Sequence, residues 1–179
     1  MKGIVFTELL ELVEDKFGLE VVDKIIEQSA LASGGVYTSV GTYDFSEMLS
    51  LLTHLSEHTS ISIDDLLLTY AEHFFGVLVA SYPGLINKYE DPIELLSSIE
   101  NHIHVEVQKI YPDAELPTFE VLEKTQTTLI MIYKSSRAMY NFGLGLMNKT
   151  FEHYNNTATI LLEKIKEDGT EVKFSITKH

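Results

Sequence analysis

The chain has 179 residues, 45% of them hydrophobic and 22% charged, which suits one folded domain able to bury about 70% of its unfolded surface. Acidic residues outnumber basic ones 27 to 13, and the formal net charge of −14 opposes association with nucleic acid or anionic lipid surfaces. No cysteine is present, so disulfides, zinc–thiolate centres, thioether-linked cofactors and thiol nucleophiles are excluded.

In chain order, Ile4, Val5, Leu9, Leu12 and Val13 recur at helical spacing from Gly3 to Lys16, with Gly18 where a C-cap belongs. The opening segment is broken by Glu8, Glu11, Glu14 and Asp15 and has no basic leader or small-residue cleavage site, so it reads as the start of a cytoplasmic domain. Val21, Val22, Ile25 and Ile26 mark a second helix, followed by a loop over 31–43. Asp44 caps a helix carrying Phe45, Met48, Leu49, Leu51, Leu52 and Leu55, and Ser62 caps a longer one ended by Pro83-Gly84. Its run from Phe74 to Ala80 is far shorter than the roughly 20 apolar residues of a membrane span. Asp91-Pro92 starts a helix expected to run unbroken to about Ile110. From Phe119 the period changes: strands over 119–124 and 127–135, a helix over 138–151, and a hairpin of 157–166 with 171–177 turning at Asp168-Gly169. Helices followed by β-β-α-β-β predict an α+β fold, a helical N-terminal part packed on a C-terminal four-stranded antiparallel sheet with helices.

Several side chains invite chemical readings. His54 and His58 are spaced i, i+4, as a shared metal needs, but Glu57 is the only acidic residue near and no third ligand is evident, so a solvated helix face is the better reading. His179, the last residue, reads as a tag remnant as readily as a native one. His102 and His104 lie two residues apart, about 200° around a helix, so they cannot face one partner, and periodicity leaves the choice between them open. In Tyr133-Lys134-Ser135-Ser136-Arg137, a strand continued through Arg137 places Tyr133, Ser135 and Arg137 on one face, three donors suited to an anion. A strand running out to solvent is the competing reading.

Taken together, His104, Pro117 thirteen residues later, and the Tyr133-x-Ser135-x-Arg137 strand resemble the haem nitric oxide/oxygen binding (H-NOX) family. The resemblance extends to the opening Met1–Phe6, the Tyr111-Pro112-Asp113-Ala114 turn, and Met139-Tyr140 and Gly145-Leu146, so it covers essentially the whole chain. It implies one H-NOX domain, with residues 1–60 as a helical N-terminal subdomain, 61–179 as an α/β subdomain, and haem b (iron protoporphyrin IX) between them. It further implies that His104, rather than His102, is the iron ligand, that Tyr133, Ser135 and Arg137 hold the haem propionates, and that Pro117 presses on the macrocycle. Ionised propionates inside a domain of net charge −14 need such local compensation.

By the same resemblance, Leu9, Phe74 and Phe142 occupy the positions where oxygen-binding members place asparagine, tryptophan and tyrosine donors, and Val5, Leu78 and Leu146 complete an apolar wall. Tyr140 stands two residues from Phe142 and should face away. A donor-free wall implies selectivity for nitric oxide, which is much less polar on ferrous iron than dioxygen. The implied function is a non-enzymatic sensor in which nitric oxide breaks the bond between iron and His104 and a separate protein, a histidine kinase or a cyclic-dinucleotide enzyme, receives the signal. The rival readings are an oxygen or carbon monoxide sensor, a haem peroxidase, which would need a distal His or Arg, and a haem-free interaction domain.

Overall fold

The structure, a computed structural model, describes residues 1–179. It contains eight α-helices, one π-helical turn and a four-stranded sheet, the expected α+β composition. The chain forms two compact units, Met1–Tyr70 and Ala71–His179, with the boundary inside one helix.

The first unit holds α1 (Ile4–Phe17), α2 (Leu19–Gln28), α3 (Phe45–Thr59) and the start of α4 (Ile63–Ser81). Apolar positions at i, i+3 and i+4 turn Phe6, Leu9 and Val13 of α1, Val22 and Ile25 of α2, and Met48, Leu51, Leu52 and Leu55 of α3 into the unit's interior. Asp44 caps α3 by accepting the Ser46 N–H at 2.7 Å. Ser62 accepts the Asp65 N–H at 3.1 Å while its hydroxyl donates to the Asp65 carboxylate. That reciprocal arrangement starts α4.

The segment 31–43 has no regular element of its own, but it is pinned at both ends. The Glu47 carboxylate, only 4% exposed, accepts from the hydroxyls of Ser33 and Tyr37 and from the Ser33 N–H. A buried carboxylate needs such donors. Farther along, Gly3 donates to Gly41 O and Ile4 to Ser39 O, and Lys2 bridges Thr42. The chains approach so closely that a Cβ on Gly3 would stand 1.8 Å from the Thr38 carbonyl oxygen. Glycine is required there.

In the second unit α4 ends at Ser81, and Pro83-Gly84 opens a further short helix, α5 (Pro83–Ile86), rather than simply breaking the chain. Proline is acceptable at this first helical position because its missing N–H would have no partner there. Asp91 caps α6 (Pro92–Ser97), accepting N–H groups from Ile93 and Glu94. The expected unbroken helix to Ile110 is not found. A π-helical turn over Ile99–Ile103 separates α6 from α7 (His104–Ile110), with Ile103 N–H bonded to Ser98 O and His104 N–H to Ile99 O. One added residue per turn rotates everything beyond it by roughly 100° relative to α6.

The sheet has order β1-β2-β4-β3, all antiparallel, with β1 (Thr118–Lys124), β2 (Thr128–Lys134), β3 (Ala158–Lys164) and β4 (Glu171–Lys178). Alternation along β2 and β4 buries Leu129, Met131 and Tyr133 and then Val172, Phe174 and Ile176 on one face. Met147 and Phe151 of α8 (Tyr140–His153) and Ile93, Leu95 and Leu96 of α6 join the same core. A bulge between Val121 and Glu123 interrupts β1. At the β3–β4 turn Gly169 has φ of 76°, a left-handed conformation that glycine adopts without the Cβ penalty. Strand β2 ends at Lys134, so the alternation expected to carry through Arg137 stops there, and Ser135–Arg137 form a turn.

Candidate haem-binding site

His104 is the first residue of α7, and its side chain is 14% exposed. Its Nδ1 is buried and makes no hydrogen bond. The nearest carboxylate oxygen, Glu100 Oε2, lies 3.5 Å away, and that same oxygen accepts the Phe119 N–H at 3.0 Å. Burial lowers the pKa of the His104 imidazole, and the Glu100 charge only partly opposes this. The ring is therefore held toward its neutral form, the one with a lone pair for a metal. His102 is engaged elsewhere, with the Tyr89 hydroxyl 2.7 Å from Nδ1 and Lys88 Nζ 3.3 Å from Nε2. Of the two histidines that periodicity could not separate, His104 is the one whose ring is left available.

From His104 a row of rings runs into the sheet. Its ring centre is 6.0 Å from Phe119, Phe119 is 5.6 Å from Tyr133, and Tyr133 is 6.5 Å from Phe174. The register explains the row, because Phe119 pairs with Tyr133 across β1–β2, and Phe174 lies on the same face two residues along β4 from Val172, the partner of Tyr133. Pro117, half-buried, directly precedes β1.

Tyr133, Ser135 and Arg137 do converge, although a turn achieves it rather than strand alternation. Ser135 donates its N–H to Thr170 O at 2.9 Å, fixing the turn to the neighbouring hairpin, and its Oγ accepts the Arg137 N–H at 3.2 Å. Burial raises the Tyr133 pKa, opposed by hydrogen bonds from Ser135 and the Met139 N–H and by the Arg137 charge. The phenol stays protonated and able to donate. Ala138, next in the chain, holds φ of 50°, a conformation that costs a non-glycine residue of order 1 kcal/mol.

The Arg137 guanidinium donates through Nη1 to the Glu115 carbonyl at 2.7 Å and through Nη2 to the Glu115 carboxylate at 2.6 Å. The arginine side chain is 15% exposed and the glutamate 84%. A carboxylate thus already stands on this guanidinium, as an ionised propionate would. A neutral, sheltered imidazole and, in the same unit, a guanidinium that holds a carboxylate beside the Tyr133 and Ser135 hydroxyls fit the donors that an iron porphyrin with two propionates requires.

Among the residues expected on the other haem face, Phe74 on α4 and Phe142 on α8 have ring centres 5.7 Å apart. Leu78 and Leu146, one turn along each helix, are half-buried. Val5 and Leu9 lie on α1 of the first unit, where Leu9 is 2% exposed and the Val5 carbonyl accepts from Tyr70 Oη at 2.6 Å. Tyr140 is occupied at the hairpin: the Lys164 ammonium stands 5.1 Å from its ring centre, and a Cβ on Gly169 would meet its ring.

Glu115 escaped the sequence reading because it lies 22 residues from Arg137 and no pattern links them. Glu100 had a visible signal, its i, i+4 spacing to His104. His54 contacts Glu57 and His58 contacts Gln28, and no group of three His, Asp or Glu side chains is placed to hold a metal ion. The terminal His179 donates its N–H to Thr157 O at 2.9 Å, and its ring meets the Thr159 hydroxyl.

A sequence model of the family described as Haem-NO-binding matches residues 2–162. The crystal structure of an Fe(II) unliganded H-NOX protein from K. algicida is 75% identical, with a TM-score of 0.98 over 100% of this chain and 97% of that one. An H-NOX from Shewanella woodyi, solved with IWP-051 in the Fe(II)CO ligation state, is 39% identical, with a TM-score of 0.84 over 99% of this chain and 94% of that one. An H-NOX protein from S. oneidensis in the Fe(II)NO ligation state is 24% identical and shares the fold, with a TM-score of 0.91 over 100% of this chain and 99% of that one. Among curated proteins no relative matches. Family match, sequence identity and fold agree, and the chain belongs to the haem-NO-binding, or H-NOX, family.

Proposed function

We propose that this protein is a nitric oxide sensor that holds ferrous haem b through His104 and passes its signal to a separate protein. The related H-NOX proteins are haem-based, seen as Fe(II), Fe(II)CO and Fe(II)NO forms. The observation that supports the reading for this chain is the presence, within one unit, of the neutral His104 ring, linked through the Phe119 ring to Tyr133, and of Arg137 beside Ser135 with a carboxylate on its guanidinium. Haem, held by His104 and the Arg137 turn, would supply a ferrous iron able to bind a diatomic gas.

The residues divide the work. Arg137 provides a planar fork and Tyr133 and Ser135 provide hydroxyls, fixing the carboxylate edge. Pro117, directly before β1, would bear on the macrocycle. Phe74, Leu78, Phe142 and Leu146 offer apolar side chains without a hydrogen-bond donor, which disfavours a polarised ligand such as dioxygen and leaves nitric oxide unaffected. His104 sits where the π-helical turn passes into α7, and such turns are frequent at functional positions. Releasing the ring frees that junction to rearrange, giving two states of different ligand affinity, as a switch requires. The receiver of the signal is a histidine kinase or a cyclic-dinucleotide enzyme, and the site of action is the cytoplasm.

The test is the visible spectrum of the ferrous protein before and after nitric oxide. A Soret band that shifts on addition of nitric oxide, with no stable oxygenated form in air, is the expected result. Haem retained normally by His104→Ala, or a stable complex with oxygen, would refute the ligand or the selectivity respectively.

A further inference from the structure

Glu100 belongs to none of the roles assigned above, yet its position is set from two sides. Its backbone lies in the π-helical turn one helical repeat before His104. Its Oε2 is fixed by the Phe119 N–H of β1 at 3.0 Å, so the carboxylate is held by the sheet. That oxygen stands 3.5 Å from His104 Nδ1, a buried nitrogen with no hydrogen bond. The separation is a few tenths of an ångström beyond an ordinary N–H···O bond. A small rotation of the imidazole closes it, and burying a polar nitrogen without a partner is costly.

We infer that Glu100 is a positioning residue for His104, its carboxylate accepting the Nδ1–H and so presenting the Nε2 lone pair to the haem iron. The inference rests on His104 being the ligand. An imidazole held by an anionic acceptor is fixed in one tautomer and orientation, and its other nitrogen becomes more basic, so it bonds a metal more strongly. Because Phe119 fixes the same oxygen, β1 sets the strength of the bond that nitric oxide must break. A purely structural role, bracing β1 against the π-helical turn, is the competing account.

Two variants and three measurements separate these. Glu100→Gln keeps an amide oxygen but removes the charge, and Glu100→Leu removes the acceptor. In the haem-free protein, nitrogen NMR of the histidine rings is expected to show His104 as the Nδ1–H tautomer, with Glu100→Leu moving population to Nε2–H. In the ferrous haem-loaded protein the iron–histidine stretching band should move to lower wavenumber in Glu100→Gln and farther in Glu100→Leu. Transfer of haem to an apomyoglobin scavenger should accelerate by about 10- to 100-fold in Glu100→Leu. An unmoved stretching band and unchanged tautomer in the folded Glu100→Gln and Glu100→Leu proteins overturn the inference, whatever happens to stability. Normal haem retention by His104→Ala is a different failure, since it removes the ligand assignment itself.

Discussion

Asp91 makes the connection most open to quantitative test. Its Oδ1 accepts the N–H groups of Ile93 at 2.8 Å and Glu94 at 3.3 Å, while its Oδ2 pairs with Lys178 at the end of β4. Losing an N-cap costs about 1 kcal/mol. The ion pair, with Asp91 35% and Lys178 17% exposed, adds roughly 0.5–1 kcal/mol, discounted for solvent on the carboxylate side. Asp91→Ala should therefore lower stability by about 1.5–2 kcal/mol and Tm by roughly 3–8 °C for a chain of this size. Asp91→Asn keeps an acceptor for the cap and should lose only the smaller part. Burial pushes the Asp91 carboxyl up, but the Lys178 ammonium and the two N–H groups outweigh it and hold the pKa below the ordinary 3.8. A carboxyl depressed on folding stabilises fully above its unfolded pKa and loses that contribution as pH falls through the folded value. The gap between wild type and Asp91→Ala should accordingly narrow below pH 3.8. Thermal unfolding followed by circular dichroism, at matched haem loading, measures all three proteins. Equal losses in the Asn and Ala variants would refute the cap, and a gap that widens in acid would refute the charge argument.

Arg137→Ala should release haem faster by roughly 10- to 100-fold, the loss of one or more charge-assisted hydrogen bonds, and Arg137→Lys should restore only part because it lacks the planar fork; unchanged haem transfer would count against the clamp. Gly169→Ala combines φ of 76° with a Cβ 2.5 Å from the Tyr140 ring, whereas Gly34→Ala combines φ of 65° with open space. The first should cost about 2 kcal/mol or more and the second about 1 kcal/mol in denaturant titrations, and equal costs would show that the Tyr140 contact is immaterial.

What could be read from the sequence was local or borne by family resemblance. Asp44, Ser62 and Asp91 announce helix starts because their side-chain oxygens satisfy N–H groups two or three residues away, and Asp168-Gly169 announces a hairpin because glycine accepts the required φ. The π-helical turn has no such signature: the apolar residues on both sides of it fit an α-helix, and only the bonds from Ile103 N–H to Ser98 O and from His104 N–H to Ile99 O reveal the extra residue. Continuing β2 through Arg137 failed for a similar reason. Ser135 gives its N–H to Thr170, outside the ladder, and that choice depends on a hairpin more than thirty residues away. Glu47 with Ser33 and Tyr37, and Arg137 with Glu115, are pairings fixed by tertiary packing. His104 itself was legible only as one of two candidates until the resemblance was brought to bear, since a single helix period distinguishes faces without saying which face is used.

The sheet explains how a change at His104 could leave its immediate surroundings. The π-helical turn is bonded to β1 through Glu100 and Phe119 N–H, and Phe119 follows Pro117 by two residues. The carboxylate-binding turn is bonded to the β3–β4 connection through Ser135 N–H and Thr170 O. One attachment is at an edge strand and the other beside a central strand, so they differ in freedom. The bulge at Val121–Glu123 interrupts β1, whereas β2 is paired with β4 along its whole length and with β1 from Leu129 to Lys134. A displacement of the histidine-bearing segment therefore meets less resistance along β1 than a displacement of the Arg137 turn would meet at β2. The proposed site is thus tied to a bulged edge strand at its histidine end and to a central strand at its arginine end, an asymmetry that a ligand-driven switch would use.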